Sequence, residues 1–284
     1  MKLDRLRDWV FEDVDRHYDE RDTMLYALGL GLGANFTDPD ELRFVTEKNL
    51  RTLPMMAAVV AKMEIRKCLV GAEVDVVEAY HGEQRSVFER PLPPSGHAVG
   101  RGRITGIWDK GRERGTLVEF EQQVFNQETG ERIATLRNMT FLRRDGGQGG
   151  DAGDPPRFDA LPDAPPDAVV DYPTLPQAAL IYRLSGDRNP LHSDPAVARQ
   201  AGLNAPILHG YCTYGMAGWA IIRTWLDSDS DRLASLDCRF SAPVYPGETL
   251  RIEMWRAADA IRYRVRVVER DVVAITNGRA TLRG

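Results

Sequence analysis

Asp187 and His192 lie five positions apart in the second half of this chain, and Asn189-Pro190 stands between them. Proline lacks a backbone donor and pushes the residue before it toward extended geometry, so a helix cannot run through this segment. The spacing therefore predicts an ordered loop that presents both side chains. A carboxylate and an imidazole held on one loop can donate and accept a proton near neutral pH.

A second motif, Pro206-Ile207-Leu208-His209-Gly210, stands at the start of the best helix candidate of the chain, residues 209–226. The apolar residues of that segment are spaced so that one stripe would face a sheet. His209 is more often a structural residue that fixes the helix start. His81 precedes Gly82 in a strand-and-turn context, where a structural hydrogen bond is at least as good an explanation as ligand contact, and we leave His81 out of the predicted site.

The elements that must position these residues occur twice, on either side of a Gly-, Pro- and Asp-rich segment that is typical of a linker. We divide the chain into residues 1–143, a linker at 144–171 and residues 172–284. In each half a helix-like region precedes strands, and residues 133–143 align without a gap on residues 273–283. Two copies of one unit, a long helix with an antiparallel sheet, are therefore expected, in an α+β arrangement.

Strand patterns are clearest in the second half, where apolar residues alternate with arginines over residues 261–267. Turns are expected at Pro246-Gly247, at Asp259-Ala260 and near Thr276-Asn277-Gly278. In the first half, strand-like runs extend over residues 70–79, 102–108, 116–126 and 131–142.

Composition excludes some classes of function. The 284 residues carry a net charge of −5, which does not suggest a general nucleic-acid-binding surface. Three widely separated cysteines, at 68, 212 and 238, lack metal-ligand spacing and fit a reducing compartment, where we expect them to be small core residues. No signal-peptide region and no membrane-spanning stretch are recognisable, so the expected location is the cytoplasm.

Several separated runs resemble one known family in the right order: residues 185–195, 206–210 and 240–250, and in the first half residues 26–31 and 81–84. They resemble the MaoC-like dehydratases, specifically the two-domain (R)-specific enoyl-CoA hydratases called hydratase 2. The resemblance spans nearly the whole chain. It implies a double hot-dog fold in which only the second repeat keeps the catalytic loop, and residues 38–55 of the first repeat indeed contain no histidine.

The resemblance implies reversible hydration of trans-2-enoyl-CoA to (3R)-3-hydroxyacyl-CoA. Asp187 and His192 would be the catalytic acid and base, in an order that their spacing does not decide, and Asn189 would orient the water or the loop. A helix N-terminus favours negative charge, so the backbone N–H of Gly210 would serve as the oxyanion donor. No metal or other cofactor is expected. Arg188 and Arg239, near the matched motifs, are candidates for binding the phosphates of coenzyme A.

In family members the first repeat makes room for a longer acyl chain, and the same role is expected of residues 1–143. The alternatives that remain open are an acyl group that is branched, dicarboxylic or bound to a carrier protein, and a non-catalytic acyl-CoA-binding subunit. Thioester hydrolysis ranks lower, because no carboxylate lies between His209 and Leu226. A homodimer is expected, although a double hot-dog chain can already be a pseudo-dimer.

Overall fold

Ten antiparallel strands form one continuous sheet in the computed structural model, which describes residues 1–283. The strands of the first half are β1 (Val14–Tyr18), β2 (Ala79–Phe88), β3 (Gly96–Asp109), β4 (Thr116–Asn126) and β5 (Arg132–Leu142). Those of the second half are β6 (Ala168–Pro173), β7 (Leu233–Phe240), β8 (Thr249–Arg256), β9 (Ile261–Val267) and β10 (Val272–Leu282).

Short helices connect the strands, and only one helix in the described part of the chain is long. The helices are α1 (Leu3–Arg7), α2 (Glu20–Gly29), α3 (Pro39–Leu42), α4 (Ala57–Val60), α5 (Ile65–Gly71), α6 (Ala178–Tyr182), α7 (Pro195–Gln200) and α8 (Gly210–Trp225). Single 3₁₀ turns occupy Pro54–Met56, Val76–Glu78, Arg183–Ser185, Pro190–His192 and Ser230–Arg232. Within residues 1–283, no helix combines the length and the apolar character that crossing a bilayer takes.

The strand order shows that the two halves are copies of one unit. The order is β1-β3-β4-β5-β2-β7-β10-β9-β8-β6, so β2 and β7 pair at the centre and each half places its strands outward in the same sequence. At this junction Glu83 pairs with Arg239 and Ser86 with Leu236. The expected α+β architecture with two antiparallel repeats is confirmed, and β5 and β10, which align in sequence, occupy matching places.

The long helix α8 is buried against both repeats. Its Gly215 and Gly218 receive first-repeat side chains so closely that an added Cβ would lie 2.8 Å from Leu30 Cδ2 and 2.7 Å from Met55 Cε. Tyr214 donates its hydroxyl to Ser86 Oγ at 2.8 Å, which ties α8 to β2. Apolar packing and buried polar contacts of this kind thus fix the helix against the first repeat as well as its own.

Two local predictions are wrong. Residues 70–79 do not form a strand, because α5 extends to Gly71, Glu73 then adopts a positive φ of 56°, and β2 begins only at Ala79. Thr276-Asn277-Gly278 is not a turn between strands but a bulge inside β10, where Asn277 has φ 52° and the pairing register shifts. In both cases a residue in the left-handed region interrupts a regular element.

The polar segment between the repeats is ordered by side-chain contacts rather than by a core of its own. Asp109 accepts hydrogen bonds from the backbone N–H groups of Gly147 and Gly149, at 2.9 and 2.7 Å. Asp151 accepts one from Ile107 N–H at 2.7 Å. Strand β6 begins at Ala168, three residues before the proposed end of this linker. The three cysteines are buried and free, as expected of core residues.

Candidate active site

The predicted loop from Asp187 to His192 begins at Gly186, whose φ of 127° turns the chain away from the preceding 3₁₀ turn. Asp187 Oδ1 accepts from Asn189 N–H at 3.3 Å, and Asn189 Oδ1 accepts from Leu191 N–H at 3.1 Å. These local side-chain bonds replace the helical bonds that Pro190 prevents. Asn189 therefore shapes the loop that carries the carboxylate and the imidazole.

His192 is held as a neutral imidazole with a defined tautomer. Its Nδ1 lies 2.9 Å from the carbonyl oxygen of Ile207, which can only accept, so Nδ1 carries the proton. Burial lowers the pKa of His192 below its usual value, while the Ile207 carbonyl and the charge of Asp187 act in the opposite direction. At neutral pH, Nε2 is left with an unshared electron pair and can accept a proton.

His209 holds the loop in place through a hydrogen bond and a ring stack. Its Nε2 donates to the backbone carbonyl of Asp187 at 3.0 Å, and its ring stacks on the ring of His192 with 3.7 Å between centroids. Burial, together with the neighbouring His192, lowers the pKa of His209 to about 3, so this ring is neutral. The contacts are those of a residue that positions both members of the pair.

Asp187 pairs with a residue that the sequence reading did not include. Lys62 Nζ lies 2.7 Å from Asp187 Oδ2, and the pair bridges the two repeats. Burial alone would raise the pKa of the carboxyl, but the charge and the hydrogen bond of Lys62 outweigh it and lower the pKa to about 2. Asp187 is therefore ionised at neutral pH.

The start of α8 lies beside Asp187 and His192, because His209, the residue before the helix, contacts both. Gly210 is the first residue of the helix, directly after His209, and a Cβ there would lie 3.3 Å from the ring of Phe240. Within residues 1–283, the Gly210 N–H donates no backbone hydrogen bond. Free N–H groups at a helix N-terminus are suited to an oxyanion.

His81 lies closer to this site than its sequence context indicates. Its ring is 4.9 Å from the ring of Tyr211 and 4.8 Å from that of Phe240, and its Nε2 lies 3.1 Å from the carbonyl oxygen of Glu83. Burial and the charge of Lys62 lower its pKa to about 4. The structural hydrogen bond, which explained His81 at least as well as ligand contact, is present, and the ring also packs against Tyr211 of α8 and Phe240 of β7.

The two candidate arginines have different surroundings. Arg239 donates from Nε and Nη2 to Glu83 Oε1, at 3.0 and 2.6 Å, and so spans the junction between β2 and β7. Arg188 lines a surface cavity of about 520 Å³ together with Arg16 and Arg21. Leu28 and Leu184, which are 42 % and 48 % exposed, line the same cavity.

Known protein families match both halves of the chain. The MaoC like domain matches residues 157–278, and the MFE-2 hydratase 2 N-terminal domain matches residues 17–144. An enoyl-CoA hydratase of Mycobacterium tuberculosis, ChsH3, is 37 % identical over 269 residues, which cover 93 % of each chain. The chain belongs to the MaoC-like dehydratase family. It is accordingly a hydro-lyase. A peroxisomal enoyl-CoA hydratase 2 of Arabidopsis thaliana is also similar, with 35 % identity over 94 % of this chain and 91 % of the relative.

Solved structures of MaoC-like proteins share the architecture. A MaoC-like dehydratase from Phytophthora capsici superposes with a TM-score of 0.86 at 28 % identity, covering 99 % of each chain. The multifunctional enzyme type 2 of Drosophila melanogaster superposes with a TM-score of 0.81 at 30 % identity, over 96 % of this chain and 48 % of that one. The double hot-dog fold expected from the sequence is confirmed.

Proposed function

We propose that the protein hydrates trans-2-enoyl-CoA thioesters reversibly to (3R)-3-hydroxyacyl-CoA at the site formed by Asp187, His192 and Gly210. The observation that carries this proposal is the pairing, on one loop, of an ionised carboxylate with a neutral imidazole, next to the free N-terminus of α8. The (3R) configuration belongs to the proposal because hydratase 2 enzymes, which the chain resembles, form that product.

The charge states define where the protons go. Neither Asp187 nor His192 carries a proton to give at neutral pH, since the carboxyl has a pKa of about 2 and burial lowers the imidazole pKa. The water therefore supplies both parts of the addition. Its oxygen bonds to C3, one of the two groups takes its proton, and that proton then passes to C2. Positioned proton transfer of this kind contributes about 10²- to 10⁴-fold to a rate.

During the addition the π electrons move onto the thioester oxygen, which needs a donor. The Gly210 N–H is proposed for this role, since α8 contributes its positive end there and glycine allows a close approach. Hydration exchanges no electrons with a cofactor, so coenzyme A enters only as part of the substrate and no metal is invoked.

The cavity beside Arg188 is the proposed place for the charged end of coenzyme A. Three guanidinium groups, of Arg16, Arg21 and Arg188, share it with one carboxylate, Asp22, and with exposed leucines, and this excess of positive charge beside apolar groups suits phosphates. Arg188 follows Asp187 directly in the chain. Arg239 remains a candidate, and its side chain is 51 % exposed although it pairs with Glu83. A carrier-protein thioester is the alternative, and the arginines would meet its phosphopantetheine.

The acyl chain is proposed to extend between α8 and the first repeat. Met55 and Leu30, which fill the notches at Gly218 and Gly215, have flexible side chains that can change rotamer to admit it.

We also propose a homodimer in the cytoplasm, with light scattering as the test of assembly.

The experiment that tests the proposal follows the loss of enoyl-thioester absorbance with trans-2-butenoyl-CoA and trans-2-decenoyl-CoA, and reads product configuration with a stereospecific dehydrogenase. Asp187→Asn keeps the shape of the side chain but removes its charge and should lower kcat/KM by about 10²- to 10⁴-fold. Asp194→Asn, a change of the same kind at the N-cap of α7, is the matched control. Wild-type protein that is folded but converts neither substrate, or forms the (3S) product, contradicts the proposal.

A further inference from the structure

Lys62 belongs to the first repeat but reaches the catalytic carboxylate of the second. It follows Ala61, where the backbone (φ −136°, ψ 53°) leaves the helical region, and it precedes α5. Lys62 is the only charged residue between Leu53 and Met63, in a segment that is otherwise buried. A charged group in such a segment has to find a partner, and here the partner is Asp187.

The break in the helix that carries Lys62 is held by a buried side chain. Gln122 on β4, 3 % exposed, donates from Nε2 to the carbonyl of Ala61 at 2.8 Å and accepts from Met63 N–H at 2.8 Å. One amide thus satisfies the backbone on both sides of Lys62. Gly100 on β3 lets the segment approach, because a Cβ there would lie 2.1 Å from the Ala61 carbonyl oxygen.

The contact between Lys62 and Asp187 is one part of a wider approach of the two repeats. The nearest atom to a Cβ placed on Gly186 is the carbonyl oxygen of Val59, 3.6 Å away. The loop before Asp187 therefore lies over the end of α4. Lys62 is 32 % and Asp187 22 % exposed, so the ion pair is partly shielded from water and its attraction is weakened less than at an open surface.

We propose that Lys62, in the first repeat, is a positioning residue for the pair of Asp187 and His192, because it holds the Asp187 carboxylate in place and in its charged form. This inference rests on the proposed function for its kinetic consequences but not for the contact itself. The titratable groups that interact electrostatically with Asp187 are Lys62, His81, His192, His209, Tyr182 and Tyr211. With His81, His192 and His209 neutral at pH 7, Lys62 is the one permanent cation among them.

Removing the cation has a defined sign. Without Lys62, burial is the main influence on Asp187 and raises the pKa of the carboxyl, and the pKa of His192 rises as well because the repulsion from Lys62 is lost. Both changes move the acid limb of kcat/KM to higher pH. A merely structural lysine would lower activity by the same factor at every pH.

The test compares Lys62→Gln, Lys62→Arg and the matched control Lys67→Gln, whose lysine pairs with the exposed Glu12. We expect Lys62→Gln to lose at least about tenfold more kcat/KM near pH 5 than near pH 8, since one pKa unit corresponds to a factor of ten. Lys62→Arg and Lys67→Gln should keep the wild-type profile. An unshifted profile for Lys62→Gln, or no recovery with arginine, overturns the proposal.

A second readout does not depend on turnover. Carbon-13 NMR of the aspartate carboxyls, with the Asp187 signal assigned by its loss in Asp187→Asn, should show no titration of Asp187 between about pH 4 and pH 8 in the wild type and titration within that range in Lys62→Gln. Lys62→Met, which keeps the apolar stem, replaces Lys62→Gln if circular dichroism shows that variant unfolded. An Asp187 signal that does not change with either variant overturns the inference, whereas failure of the wild type to hydrate enoyl-CoA removes only the proposed function.

Discussion

The two repeats share strand order but differ in the helix that packs against the sheet. In the second repeat α8 continues for 16 residues, whereas in the first repeat the corresponding segment is a 3₁₀ turn, a four-residue helix, a break and the seven-residue α5. The continuous helix presents its N-terminus to the loop from Asp187 to His192. The broken one presents a lysine.

This difference changes what the first repeat, which lacks the Asp187–His192 loop, can contribute to the proposed site. A continuous helix through residues 54–71 would keep its backbone satisfied by itself, and Gln122 would have no role at Ala61 and Met63. The break instead requires that glutamine and positions Lys62 beside Asp187. The first repeat therefore takes part in the electrostatics of the site in addition to the proposed accommodation of the acyl chain.

The largest expected effect concerns the repeat that carries the loop. His192→Gln retains a polar side chain but has no nitrogen that can take up a proton, so kcat/KM should fall by about 10²- to 10⁴-fold. His17→Gln, on β1 of the first repeat, is the control and should leave turnover unchanged. Steady-state kinetics with trans-2-butenoyl-CoA measure both. A fall of only a few-fold would show that Asp187 transfers the proton without His192.

The next effect tests whether α8 depends on the first repeat for its packing. Gly218→Val places a Cβ only 2.7 Å from Met55 Cε, and overpacking of this kind costs about 1–3 kcal/mol of unfolding free energy. Urea unfolding should show that loss, and the exposed Thr224→Val on the same helix should stay within about 0.5 kcal/mol of wild type. In the double variant with Met55→Ala the losses should be smaller than their sum. Full additivity would mean that the two repeats do not share this contact.

The break in the first repeat should be about as sensitive. Gln122→Met leaves the carbonyl of Ala61 and the N–H of Met63 buried without partners, which costs about 1–3 kcal/mol. Gln123→Met, the same change at the next position of β4, should be nearly neutral. Because Lys62 loses its backbone support, the acid limb of kcat/KM should also move to higher pH, although by less than in Lys62→Gln. A loss of stability with an unchanged pH profile would show that the hydrogen bonds of Gln122 stabilise the fold but do not influence Asp187.

Much of this arrangement was accessible from the sequence, and the parts that were not have physical causes. Asp187, His192 and Gly210 are close in the chain, so local rules for proline and for helix starts, together with the family resemblance of their motifs, were enough to group them as a candidate site. Lys62 lies 125 residues before Asp187, and only the fold brings the two together. Its isolation in an apolar segment was the available signal. The segment near Asn277 was expected to be a turn but is a bulge. A left-handed asparagine occurs in both, so the sequence does not distinguish them.

The smallest expected effect lies at the junction of the repeats. Asp237 on β7 stands opposite Arg85 of β2, and burial raises the pKa of its carboxyl to about 6 in spite of the Ser86 N–H and the charges of Arg85, Arg279 and Arg262. In the unfolded chain the same carboxyl titrates near 3.9. A carboxyl whose folded pKa is raised stabilises the protein below the unfolded value and loses that contribution as pH rises through about 6.

Asp237→Asn keeps an oxygen for the Ser86 N–H, which lies 3.2 Å from Asp237 Oδ1, but has no charge to bury. The variant should therefore be more stable than wild type by about 1–2 kcal/mol at pH 8 and should lose this advantage at pH 4, in urea unfolding at the two pH values. Asp259→Asn is the control, because Asp259 is exposed and pairs with Arg279. If Asp237→Asn is instead less stable at pH 8, the arginines at the junction stabilise the buried charge more than burial disfavours it, and the seam between the repeats is held electrostatically rather than by packing and strand pairing alone.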